Sequence, residues 1–163
     1  MSGLRIKYLV LMLLIITINL GCEDPVSSPQ EFQVEKLLSA PDTIDIEGEK
    51  IILNTYLWRD FMPVSPPDGK PLIAVVMIES VDSSDISGLI KPEAIYMVNS
   101  NEVWSSYFED EIPPDNSPYS IKRVARDGPK WGPGIFVDVI VSINIGTERK
   151  LLQAPDQYIH RTE

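Results

Sequence analysis

Acid–base and nucleophilic chemistry depends on side chains that exchange protons or attack near neutral pH. This chain has few of them: one histidine, His160, and one cysteine, Cys22, in 163 residues. A Ser–His–Asp arrangement would need His160 held rigidly beside a serine, and no G-x-S-x-G elbow is present. With three residues after it, His160 is expected to be terminal and solvated. A single cysteine makes no internal disulfide, no CxxC redox motif and no Cys-rich zinc site. Carboxylates are plentiful, 24 in all. Glu109, Asp110 and Glu111 form a run with Asp115 close behind, and Asp82 and Asp85 bracket two serines. A glycosidase would hold two carboxylates roughly 5–10 Å apart on a rigid scaffold, and nothing selects such a pair here. Acidic loops suit calcium, yet no D-x-[DN]-x-[DN]-G pattern occurs. Both clusters therefore read as solvated loops. No catalytic residue, metal set or cofactor is expected, and the chain reads as a non-enzyme.

Binding chemistry has better candidates. Tyr56 and Trp58 share a strand face opposite Ile51, Leu53 and Leu57. If the aliphatic face is the core, the two aromatics lie outside, where they form a stacking platform for a sugar or a partner. The plainer alternative buries Trp58 in a central strand. A second candidate is the stretch Arg126 to Gly134 (RDGPKWGPG), a stiff, sharply turned loop before the strongest strand. There Trp131 with Arg126 and Lys130 forms a recognition patch, the one basic spot on an acidic surface. In the plainer alternative Trp131 folds back as a plug and Arg126 pairs with a neighbouring acid. A further Pro/Gly loop, Phe61 to Lys70, joins two central strands.

These residues must be positioned by strands. From Ile135 to Ile145 every odd position is a branched aliphatic, while Asp138, Ser142 and Asn144 occupy even ones, the period of a half-buried strand. Gly146-Thr147 predicts a hairpin turn into Arg149 to Gln153. Glu49 to Trp58 alternates similarly, and Leu72 to Ile78 is apolar throughout, as for a strand covered on both faces. Ala94 to Val98 and Glu102 to Ser105 flank a three-residue turn, Asn99-Ser100-Asn101. Thr43 to Ile46, Tyr119 to Ala125 and Gln157 to Arg161 add shorter strands. Fourteen prolines, all after residue 22, leave no convincing helical period. The fold class is all-β. Seven or eight short antiparallel strands look like an immunoglobulin- or fibronectin-type β-sandwich, without the cysteine pair of disulfide-bonded immunoglobulin domains.

The N-terminal segment reads as an export signal. Arg5 and Lys7 precede the apolar run Tyr8 to Ile18. Such a run belongs to the class of roughly 7–15 residues, short of the ~17–25 that span a bilayer. The end of this segment, Ile18-Asn19-Leu20-Gly21-Cys22, resembles the lipobox of bacterial lipoproteins, although Asn19 stands where that pattern usually has an aliphatic residue. The resemblance implies cleavage before Cys22 and a diacylglycerol on its thiol. Acyl chains there give stable anchoring, at about 0.8 kcal/mol per buried CH₂. The expected organisation is a signal peptide over 1–21, lipidated Cys22 with a flexible tether over 22–41, and a β-sandwich over 42–163. Phe32, Val34, Leu37 and Leu38 fit either a short strand or a helical turn packed on the domain.

Without the first 21 residues the chain carries two acids for every base, 24 to 12. Such a surface repels phosphate backbones, so nucleic acid is not an expected partner. The expected role is that of a membrane-anchored lipoprotein, facing periplasm or cell exterior, that binds a protein or glycan of the envelope. The alternatives are a carboxylate-type enzyme acting on envelope polysaccharide and a structural subunit of an envelope complex.

Overall fold

A computed structural model describes residues 34–86, 88–108 and 117–163. Cys22, the apolar run and the Glu109–Asp115 acids lie outside the described residues. Among the described residues one short helix, α1 (Val34–Leu38), precedes eight strands. These are β1 (Thr43–Ile46), β2 (Glu49–Asp60), β3 (Leu72–Ser80), β4 (Lys91–Asn99), β5 (Glu102–Tyr107), β6 (Ser120–Gly128), β7 (Phe136–Ile145) and β8 (Glu148–Thr162). The protein is all-β, in one curled sheet of order β5-β4-β7-β8-β2-β3-β6, with β1 paired to β2. Every pairing is antiparallel except that of β2 with β8.

The curl is closed by alternation. Ile51, Leu53 and Leu57 of β2 and Leu72, Ala74, Val76 and Ile78 of β3 are buried in the same core as Ile95 and Met97 of β4 and Val137 to Ile143 (odd positions) of β7. The sheet thus folds its aliphatic face inward upon itself. Each fully buried Leu, Ile or Val side chain contributes about 1.5–3 kcal/mol relative to exposure.

β8 makes the curl possible. Its first part pairs with β7 and its last four paired residues run parallel to β2, with Leu57 opposite Ile159 and Trp58 opposite His160. Between them the register with β7 shifts at Val137/Val139. Pro155 donates no N–H there, and Asp156 adopts φ 54° with its N–H bonded to Asp138 Oδ1 at 3.1 Å. This bulge reverses the side-chain parity. Leu152 and Ala154 before it and Ile159 after it all point into one core. The two strands expected over 149–153 and 157–161 are therefore one.

Three further expectations change in detail. β3 is not covered on both faces: Ile73, Val75 and Met77 are half-buried while their alternates are fully buried. The β4–β5 turn is the two residues Ser100-Asn101, because Asn99 pairs with Glu102. β6 runs on to Gly128, so Arg126 and Asp127 belong to a strand rather than a loop. Gly128 is required there, since a Cβ would lie 2.9 Å from the Leu72 carbonyl oxygen.

Residues 34–41, expected to be tether, pack on the sheet as the helical alternative. Leu37 and Ala40 cover Ala94, Tyr96, Val98 and Ile140 on the outer face of β4 and β7. The Pro41 carbonyl accepts from the Gln153 N–H at 2.9 Å. Five helical residues are too few to hold by themselves, so this helix exists through that packing. No helix among the described residues is long and apolar enough to cross a membrane.

Candidate binding surface

The outer face of the β2–β8–β7 seam carries a continuous strip of five rings. Alternation sends Leu57 and Arg59 of β2 inward and leaves Tyr56 and Trp58 outside. Beyond the bulge, β8 presents Tyr158 and His160 on the same side, and Phe136 opens β7 opposite Tyr158. Tyr56 lies against Trp58 at 5.4 Å between centroids and stacks on His160 at 4.9 Å and 25°. His160 meets Tyr158 edge-on at 4.9 Å, and Tyr158 meets Phe136 at 5.3 Å. These distances lie within the range of favourable aromatic pairs. Even so, the strip stays open: Tyr56 is 46%, Tyr158 42% and Phe136 61% exposed. Trp58 is half-buried. Neighbouring Ile73, Val75, Met77 and Val124 extend the apolar character over β3 and β6.

The loop candidate is arranged differently. Trp131 is half-buried and packs on the main core, and its indole Nε1–H donates to Glu102 Oε2 at 2.7 Å. Lys130 forms an ion pair with Asp68, a carboxyl held below its ordinary range chiefly by that lysine hydrogen bond. Trp131 is thus a plug pinned at its polar end. Arg126 is exposed on β6 and, among the described residues, makes no hydrogen bond or ion pair. No ring contact joins Trp131 to Tyr56 or Trp58 among the described residues. The sequence candidates divide into an open strip and a tied-down loop.

Between them sits Arg59, which sequence reasoning did not single out. Only 3% exposed, it donates from Nε to the Lys70 carbonyl at 3.0 Å and from Nη1 to the carbonyls of Lys130 at 3.1 Å and Trp131 at 3.0 Å. Nη2 donates to the Asp68 carbonyl. One buried guanidinium therefore clamps the β2–β3 and β6–β7 loops together. Its face also lies over Phe61, which Arg161 covers at 4.0 Å. Phe61 in turn leans over Gly69, where φ is +75° and a Cβ would come within 2.6 Å of the ring. Asp60, at the strand end, is held below its ordinary pKa by hydrogen bonds from the Lys70 ammonium and the Met62 N–H.

Phe136, Tyr158 and His160 were also not anticipated as partners of Tyr56. The usable signal was Tyr158-x-His160, the same i, i+2 spacing as Tyr56-x-Trp58. Among the described residues, no three His, Cys, Asp or Glu side chains converge as a metal set would. Asp82 and Asp85 sit exposed on the loop after β3. No family model, curated protein or solved structure matches the chain.

Proposed function

We propose that this chain is a binding module of the bacterial cell envelope, held to a membrane by lipid on Cys22, that docks an envelope protein through the Phe136–Tyr158–His160–Tyr56–Trp58 strip. The exposed strip carries the reading. Solvent-facing aromatics grouped this densely are the residue types that dominate interface energetics, and contiguous apolar surface is uncommon on proteins without a partner. Half-buried Ile73, Val75, Met77 and Val124 beside it favour a protein over a glycan, which would call for more polar groups among the rings. The proposed scaffold is an immunoglobulin-like sandwich. Its support is the strand order: β6-β3-β2 corresponds to strands E-B-A, β5-β4-β7-β8 to C′-C-F-G, and β2 runs parallel to β8 at the seam.

The carboxylate-enzyme alternative would need an acid with a raised pKa. Among the described residues, the carboxyls with clear shifts, Asp60 and Asp68, are both lowered by lysines. The test has two arms. In the first, mass measurement of the N-terminal peptide from membrane extracts should find it starting at acylated Cys22, and unmodified in a Cys22→Ser control. In the second, the triple variant Tyr56→Ala, Phe136→Ala, Tyr158→Ala should lose an envelope-protein complex isolated with the unaltered chain, weakening it at least about tenfold. A complex of undiminished affinity would remove the strip from the interface. Retention on envelope polysaccharide, abolished by the same substitutions, would replace the protein partner with a glycan.

A further inference from the structure

Of the described cations that face no carboxylate in an ion pair, Arg123 and Lys91 line one cavity. Lys70, Lys130, Arg149, Lys150 and Arg161 each face a carboxylate within 4 Å. Arg123 does not. It occupies a core-facing register position of β6, opposite buried Val76, and is only half-exposed. Its one hydrogen bond is from Nη1 to the adjacent Lys122 carbonyl, leaving Nε and Nη2 without a partner among the described residues. Burial alone pulls its pKa down from the ordinary arginine value. Lys91, at the start of β4, likewise has no acidic partner among the described residues.

Both side chains line a cavity of about 580 Å³ at the end where β4 begins and β7 turns into β8. Leu89, Ile90, Asn144 and Gly146 complete most of its wall, and among the described residues no carboxylate lines it. We infer that this cavity binds a small organic acid, whose carboxylate or phosphate group is held by Arg123 and Lys91. An arginine fork with two free edges matches either oxyanion, and a charge-assisted pair relieves a partly desolvated cation. The volume leaves room for a carbon body beyond the oxyanion itself, since a water molecule's share of liquid volume is only about 30 Å³. The cavity has the size of an ordinary small-molecule site, roughly 300–1,000 Å³. Leu89 and Ile90 give the ligand's carbon body an apolar contact, and Asn144 can both donate to and accept from a hydroxyl. The net negative charge of the chain opposes anions at long range. At contact, two cations within one cavity outweigh charges more than a Debye length away, about 8 Å at physiological salt.

The cavity shares no residue with the aromatic strip, so its test is independent. The full chain in mild detergent is titrated calorimetrically with glucuronate, glucose 6-phosphate and glucose. One or both acids should bind below about 10 mM and glucose should not. Whichever acid binds identifies the oxyanion. Arg123→Gln and Lys91→Gln should each weaken that binding by about tenfold or more, the effect of one charge-assisted hydrogen bond. Lys91 is exposed, so its variant decides the matter if Arg123→Gln fails to fold. Absence of binding by both acids, equal binding of glucose, or acid affinity unchanged in Lys91→Gln would overturn the assignment.

Discussion

At the scale of single residues, Arg59 bears the most. Four backbone carbonyls from two loops take its donors, and among the described residues no carboxylate is hydrogen-bonded to the buried charge. Lysine has the charge but not the fork, so Arg59→Lys leaves carbonyls unsatisfied in a site closed to water. The expected loss is about 2–4 kcal/mol, read from the denaturant midpoint at unchanged m-value. A loss under about 0.5 kcal/mol would mean that water takes over those carbonyls. Asp60 and Asp68 make a second residue-scale prediction. Both pKa values are depressed in the folded state, by Lys70 and Lys130 respectively. Their stabilising effect is therefore complete above the unfolded value near ~3.9 and disappears as pH falls through the folded values. Carbon-13 titration of the Asp68 carboxyl should give a midpoint below the ordinary one. In Lys130→Ala it should return toward that ordinary value, and no movement would deny the ion pair a role.

At the scale of elements, helix α1 is the piece with least intrinsic stability and a fully buried anchor. Leu37→Ala should cost about 2–4 kcal/mol, since the small cluster with Ala94, Tyr96, Val98 and Ile140 cannot close over the gap. Urea denaturation reads this directly, and a change near zero would mean that the helix is detached in solution. The same scale explains what the sequence disclosed. β2 and β7 were legible because their alternation is local, one residue in and one out. β8 was not, because Pro155 looks like a terminator and the bulge inverts parity in mid-strand. Val34 to Leu38 left strand and helix open because five residues are too short for either period to declare itself. Tyr56 and Trp58 could be placed on one face from the strand pattern. Their union with His160 could not, because the parallel register joining them spans a hundred residues of chain and leaves no local trace. Arg59 was hidden for another reason: a charge at an inward position near a strand end resembles an ordinary strand terminus.

At the scale of the whole molecule, charge and topology dominate. A formal charge of −10 makes the folded chain repel itself, and salt screens that repulsion. The same salt weakens the exposed ion pairs, but each of those is worth only about 0–1 kcal/mol. Raising ionic strength from about 10 to 150 mM shortens the screening length from roughly 30 to 8 Å. The thermal midpoint should therefore rise, and a fall would show that ion pairs outweigh net repulsion. The parallel seam of β2 and β8 has a mechanical consequence. Tension between the segment entering β2 and the segment leaving β8 pulls two parallel neighbours in opposite directions along their length. Their hydrogen bonds are then loaded together in shear, rather than one after another as at a hairpin being peeled. A chain tethered at its N-terminal side and tugged from its far end would thus meet resistance first at the strands that carry Tyr56, Trp58 and His160.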